Sequence, residues 1–163
     1  MRLVKNGLIT IVMGVATAFS AATLASDEYR LSAFADVSGY AQIKSKNITE
    51  ATEFIMARSE KKMDFLELNN LCVLEVLVAD FSSAIEVCEN ALEKSTNTRG
   101  IGFGAKKKAE ASIHSNLAVA KALSGDLEGA KIELEMALSL NSRDSNAKAN
   151  LEWLAGSNLV AGL

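Results

Sequence analysis

His114 is the only histidine among the 163 residues, and histidine is the side chain whose ordinary pKa suits proton transfer near neutral pH. Acyl transfer would also need a nucleophile beside it and an acid to orient it. The sequence carries no signature of either, so packing is the simpler role for His114. The run from Gly100 to Lys108, Gly-Ile-Gly-Phe-Gly-Ala-Lys-Lys-Lys, approaches a phosphate-binding loop. Such a loop requires Gly-x-x-x-x-Gly-Lys followed by Ser or Thr, after a strand. Here Ala105 follows Gly104, no hydroxyl follows Lys106, and no strand precedes the run. It reads as a mobile insertion and a basic helix start. The acidic pairs Glu50/Glu53 and Glu133/Glu135 read as solvated faces, and no cluster of His, Cys, Asp and Glu has metal-ligand spacing. These residues point away from an enzyme and imply neither cofactor nor metal; a hydrolase or small-molecule binder ranks last.

Cys72 and Cys88 are the only cysteines, too few for a disulfide scaffold. Whether they bridge depends first on the compartment, which the N-terminus addresses. Arg2 and Lys5 are followed by an uncharged, apolar stretch from Gly7 to Leu24. Thr23 and Ala25 then place small residues before a cut at Ser26, and Asp27 and Glu28 restore polarity. That order is a secretory signal over residues 1–25, with an uncleaved anchor helix as the alternative. The expected mature chain, 26–163, is one domain in the periplasm or secreted, where disulfides persist. Removing Arg2 and Lys5 takes the net charge from −3 to −5. A mildly acidic chain with no basic cluster beyond Lys106–Lys108 argues against nucleic acid and against a lipid surface as partners.

The elements that must position these residues are helices. Apolar residues recur at helical spacing, no stretch alternates long enough for a strand, and the chain contains no proline. The class is all-α, with helices expected at about 28–45, 48–60, 63–79, 81–94, 106–124, 127–140 and 144–157. Gly125-Asp126 supplies a stop and a cap, Asp80 caps in the same way, and Asn47 with Glu50 resembles a capping box.

An internal repeat organises them. The 24 residues from Asn70 align without a gap on those from Asn116, with nine identities: Asn70, Leu71, Val73, Leu77, Asp80, Ala84, Glu89, Ala91 and Leu92 fall on Asn116, Leu117, Val119, Leu123, Asp126, Ala130, Glu135, Ala137 and Leu138. The segment from Ser38 matches more weakly at an offset of 33, Gly39 on Cys72, Asn47 on Asp80 and Ala51 on Ala84. Asn150-Leu151 echoes Asn116-Leu117.

The order of a helix A Leu and small residue, a turn with Gly-Asp, then Ala and a later Ala-Leu in helix B resembles the tetratricopeptide (TPR) repeat. In one unit these are Leu117, Ala118, Gly125, Asp126, Ala130, Ala137 and Leu138; in another, Leu71, Cys72, Ala79, Asp80, Ala84, Ala91 and Leu92. The resemblance implies a short right-handed stack of antiparallel helical hairpins: units at about 32–64, 65–95 and 111–144, and a capping helix at 145–157 carrying Trp153. It departs from the family where a large aromatic is expected, at Ala35, Leu68 and His114, and in lacking the closing proline. About 12 extra residues also fall near Glu93–Gly104. Small residues let paired helices approach, and each hairpin leaves an apolar face for its neighbour.

The resemblance further implies a concave groove lined by helix A residues: Asp36, Val37, Tyr40, Ile43 and Lys44, then Asn69, Asn70, Val73, Val76 and Leu77, then Ser115, Asn116, Val119, Ala122 and Leu123. Tyr40, Asn70, Val73, Val76, Asn116, Val119 and Leu123 are its expected contact residues. The family's carboxylate clamp is incomplete, since the basic partners are missing from the second and third units. An apolar helix or extended peptide held by side-chain hydrogen bonds suits this surface. The alternative is that the Asn residues brace helices and the Val residues simply pack. Function is thus expected to be interaction with an envelope protein or peptide, with self-association as a homo-oligomer the second reading. For Cys72 and Cys88, placed in the two helices of one hairpin, a bridge and plain small-residue packing both stay open.

Overall fold

A computed structural model describes residues 29–161, with side-chain surroundings through Ser157. The expected signal segment lies outside the described residues. All regular structure among them is helical: α1 (Tyr40–Lys44), α2 (Ile48–Met56), a 3₁₀ turn (Glu60–Lys62), α3 (Phe65–Leu77), α4 (Phe81–Asn97), α5 (Phe103–Leu123), α6 (Leu127–Leu140) and α7 (Ser145–Ala161). None of these helices is long and apolar enough to cross a membrane.

The repeat spacing reappears as a repeated turn. Lys46, Ala79 and Gly125 each adopt a left-handed backbone, at φ of 58°, 63° and 97°. The amide of the following residue reaches back to a carbonyl five residues earlier: Asn47 to Gln42, Asp80 to Glu75, Asp126 to Lys121. That is the bonding that satisfies orphan carbonyls at a helix C-terminus. The same Asn or Asp then caps the next helix, its side chain accepting from the amide of Glu50, Ser83 or Gly129. One three-residue device therefore reverses the chain at each of three places. A further capping box, Asp64 with Glu67, opens α3.

The helices pair as α3 with α4 and α5 with α6, and α3, α5 and α7 also touch in succession. Small residues line the paired faces: Cys72, Ala84, Cys88 and Ala91 in one hairpin, Ala118, Ala130 and Ala137 in the next, all buried. Cys72 and Cys88 are joined by a disulfide, their Cα atoms 5.4 Å apart. Helix α3 is buried from Leu68 to Val76 without a break, which a helix shows only when covered on every side. Helices α2, α4 and α5 cover part of it. The inner face is covered by something that is not a helix.

That cover is the largest departure from the sequence reading. The expected helix at 28–45 is an extended strand-like segment at Tyr29–Phe34, a turn, and only the five residues of α1. Its apolar residues follow a helical spacing, yet its backbone groups find partners elsewhere in the molecule, and those outbid local helical bonds. The extra residues between the two similar hairpins also sit differently. Rather than forming a long loop, they lengthen α4 to Asn97 and start α5 at Phe103, leaving only Thr98–Gly102 between them. Gly104 and Lys106–Lys108 are helical, so only Gly100 and Gly102 of the glycine run lie in the connection.

Candidate peptide-binding groove

Helices α3, α5 and α7 each present an asparagine to the same surface. Asn70, Asn116 and Asn150 are spaced 46 and 34 residues apart, and all three are fully buried. Each closes on one residue of the extended segment from both sides of its peptide chemistry. The Arg30 amide donates to Asn150 Oδ1 at 2.6 Å, and Asn150 Nδ2 donates to the Arg30 carbonyl at 2.8 Å. Ser32 is held in the same way by Asn116, at 2.9 Å in both directions. Phe34 is held by Asn70, at 2.7 and 3.1 Å. A carboxamide carries one acceptor and a two-proton donor, so it completes a residue's N–H and C=O as a neighbouring strand would. Because both groups of the clamped residue are used, the orientation of each amide is fixed by its partners.

Residues 30, 32 and 34 share one side of an extended chain, since successive residues face opposite ways. The ladder therefore reads main chain at every second residue, whatever the side chain. Supporting bonds lock it. Asn69 Nδ2 donates to the Ser32 carbonyl at 2.8 Å, and Asn116 Nδ2 to Asn69 Oδ1 at 2.8 Å. Asn150 Nδ2 reaches Ser115 Oγ at 3.0 Å, and Asn146 Nδ2 reaches Ser32 Oγ at 2.8 Å. Buried amides in a dry site are costly when unpaired; here each has partners.

The segment's side chains supply the apolar contacts. The Tyr29 ring meets Trp153 edge-on, centroids 5.5 Å apart. Tyr29, Leu31 and Phe34 pack against the core that includes Leu71, Leu74, Val76 and Val119. Beside the segment lies an open apolar pocket of about 300 Å³ between Leu31, Ala33, Ile43, Ile48, Val73 and Leu77, with Lys46 at its edge. The segment's polarity is set: its N-terminal end lies at α7 and its C-terminal end at α3.

Of the residues expected to line a groove, Asn69, Asn70 and Asn116 bond to the segment. Val73, Val76 and Val119 are buried, and Leu123 is half-buried against the core. Tyr40 is the first residue of α1, half-buried, with the Lys44 ammonium 5.7 Å from its ring. Asp36 and Val37 fall in the turn before α1 rather than on a helix. Asn146, Asn150 and Ser32 were not among the expected lining residues. The Asn150-Leu151 echo of Asn116-Leu117 was the signal available for Asn150.

His114 does more than pack. Its Nδ1 lies 2.7 Å from Glu133 Oε2, and Lys121 Nζ lies 2.6 Å from Glu133 Oε1. Glu133 is thus a half-buried tie between α5 and α6, not part of a solvated face. Burial pushes its carboxyl up, but hydrogen bonds and charge from His114 and Lys121 outweigh this and hold it below the ordinary carboxylate range. On α3, burial, with Asp80 and Glu60 adding repulsion, raises the Glu75 carboxyl. Among the described residues no group of three His, Cys, Asp or Glu is placed to hold a metal ion.

No protein-family model, no curated protein and no solved structure matches this chain.

Proposed function

We propose that this chain is an exported, non-enzymatic interaction protein whose tetratricopeptide-like stack of hairpins holds an extended peptide segment against the asparagine ladder. One observation carries the reading: three asparagines from three successive inner helices each pair with both backbone groups of one residue, at every second residue of a strand. Asn116 with Asn69 and Asn150 with Ser115 also brace neighbouring helices, but bracing alone would leave no paired bonds to the main chain of an extended segment. The three asparagines address the one chemistry that all extended peptides share, and the flanking contacts of Tyr29, Leu31 and Phe34 add side-chain preference. Export to the periplasm or beyond is supported by the order of basic, apolar and small residues over 1–25 and by the bridge between Cys72 and Cys88. The expected partner is an envelope protein or peptide offering an extended segment.

The chain's own segment fills the ladder, so the test must vacate it within the intact protein. Proline has no N–H, and Arg30→Pro/Ser32→Pro removes two of the ladder's three amide donors. This variant should keep its helical circular dichroism and bind a fluorescent peptide of sequence 27–35. Adding Asn116→Ala should weaken that binding at least tenfold. If the vacated protein folds and ignores the peptide, the ladder serves only to tie down its own N-terminal segment and the reading fails.

A further inference from the structure

We propose that the natural occupant of the groove in trans is the Tyr29–Phe34 segment of a second copy of this chain, the two copies exchanging segments reciprocally. This rests on the peptide-reading function proposed above and names its partner. The complementarity of groove and segment is already visible: six main-chain hydrogen bonds, the Tyr29–Trp153 ring pair, and the seating of Leu31 and Phe34 on the core. Every copy carries both halves. None of these contacts depends on which copy supplies the segment, so all of them re-form on exchange.

What differs between the closed and exchanged states is the connection. Within one copy the segment is tied to the hairpins through Ala35–Gly39, a turn that must reverse the chain between Phe34 and α1. Asp36 is held there at φ 60°, left-handed although it is not glycine. Gly39 is also left-handed, at φ 81°, and a Cβ there would run into the Ile55 side chain. Short hinge turns under strain favour exchange: opening this one releases the left-handed Asp36, while Ser38, bonded to Glu67 and Asn70, stays with α3. The segment itself is no buried strand. Arg30 is exposed and Tyr29 and Leu31 to Phe34 are only half-buried, so the segment lifts from the groove without unpacking the helices beneath. The high effective concentration of a tethered segment favours the closed form in dilute solution, so exchange grows with concentration.

Light scattering on the protein as its host produces it, over a rising concentration series, should show a dimer fraction that increases, and Arg30→Pro/Ser32→Pro should abolish it. A wild-type protein that stays monomeric throughout, or a dimer indifferent to these prolines, overturns the exchange. Mixing separates this proposal from the one beneath it. The proline variant offers an open groove without a usable segment; Asn70→Ala/Asn116→Ala offers a free segment without a groove. Neither should associate alone, and together they should form a one-to-one complex. Should the double alanine variant lose its helical signal, Asn150→Ala takes its place. If the proline variant binds the free 27–35 peptide but not the partner variant, exchange is overturned and peptide reading stands. If it binds neither, both fall.

Discussion

An asparagine side chain carries the donor and acceptor of a peptide unit on a short tether, so its role depends on what lies opposite it. Asn116 is the centre of the ladder, bonded to Ser32 on both backbone groups and to Asn69. Asn116→Ala strips partners from a buried or half-buried amide, carbonyl and side-chain oxygen at once. It should destabilise the protein by about 1–3 kcal/mol in urea titration, whereas an Asn accepting only surface water would cost almost nothing. A second prediction concerns Glu133. Its folded-state pKa lies below the ordinary value of 4.5, so the unfolded chain binds the proton more readily. The stabilisation is then fully present above 4.5 and is lost as pH falls through the folded value. Wild type should therefore exceed Glu133→Gln in stability at neutral pH, and the gap should close on acidification. A gap that widens in acid would contradict the sign. These two roles show the limit of reading residues singly. Asn70 and Asn116 stood out because they repeat, but Asn69 gains its meaning from Ser32, which is 37 residues away.

At the scale of elements, the reversals were legible because their chemistry is local. A left-handed residue followed by Asn or Asp recurs at offsets of 33 and 46; the offset of 46 appears in the sequence as aligned identities and that of 33 as a weaker match. Only one of the three turns has glycine at the left-handed position; Ala79 occupies it in the middle turn at φ 63°. Its Cβ strains that conformation, and glycine would relieve it. Ala79→Gly should raise stability by about 1 kcal/mol despite adding a glycine, read as a shift in the urea midpoint at unchanged slope. A loss instead would mean that the turn is not left-handed. The first helix was misread for the converse reason. Leu31, Phe34 and Ala35 have helical spacing, and nothing local announces an extended chain whose hydrogen-bond partners lie on α3, α5 and α7. Helix ends at α4 and α5 shifted for a similar reason: an insertion with glycines can lengthen helices when their outer turns find contacts, as Ser95 does on Glu110 and Lys106 on the Thr96 carbonyl.

Over the molecule as a whole, the described helices touch mainly those next to them in the chain. The extended segment breaks that rule. It crosses all three inner helices and joins Arg30 to Asn150 over 120 residues of chain. It thereby closes the inner face of α3, which accounts for that helix being buried all round. Fold class was legible because periodicity alone decides it; the groove's occupant was not, because an extended segment's partners are non-local. The claim that everything above depends on is the alternation of the ladder, and amide hydrogen exchange resolved by residue tests it most directly. The amides of Arg30, Ser32 and Phe34 donate to asparagine oxygens, while those of Leu31 and Ala33 face the other way along an extended chain. Exchange should be slow at 30, 32 and 34 and fast at 31 and 33, and Asn116→Ala should speed it first at Ser32. Continuous protection from Leu31 into α1 would restore a helix, and uniformly fast exchange from Tyr29 to Phe34 would leave the groove empty; either result contradicts the account.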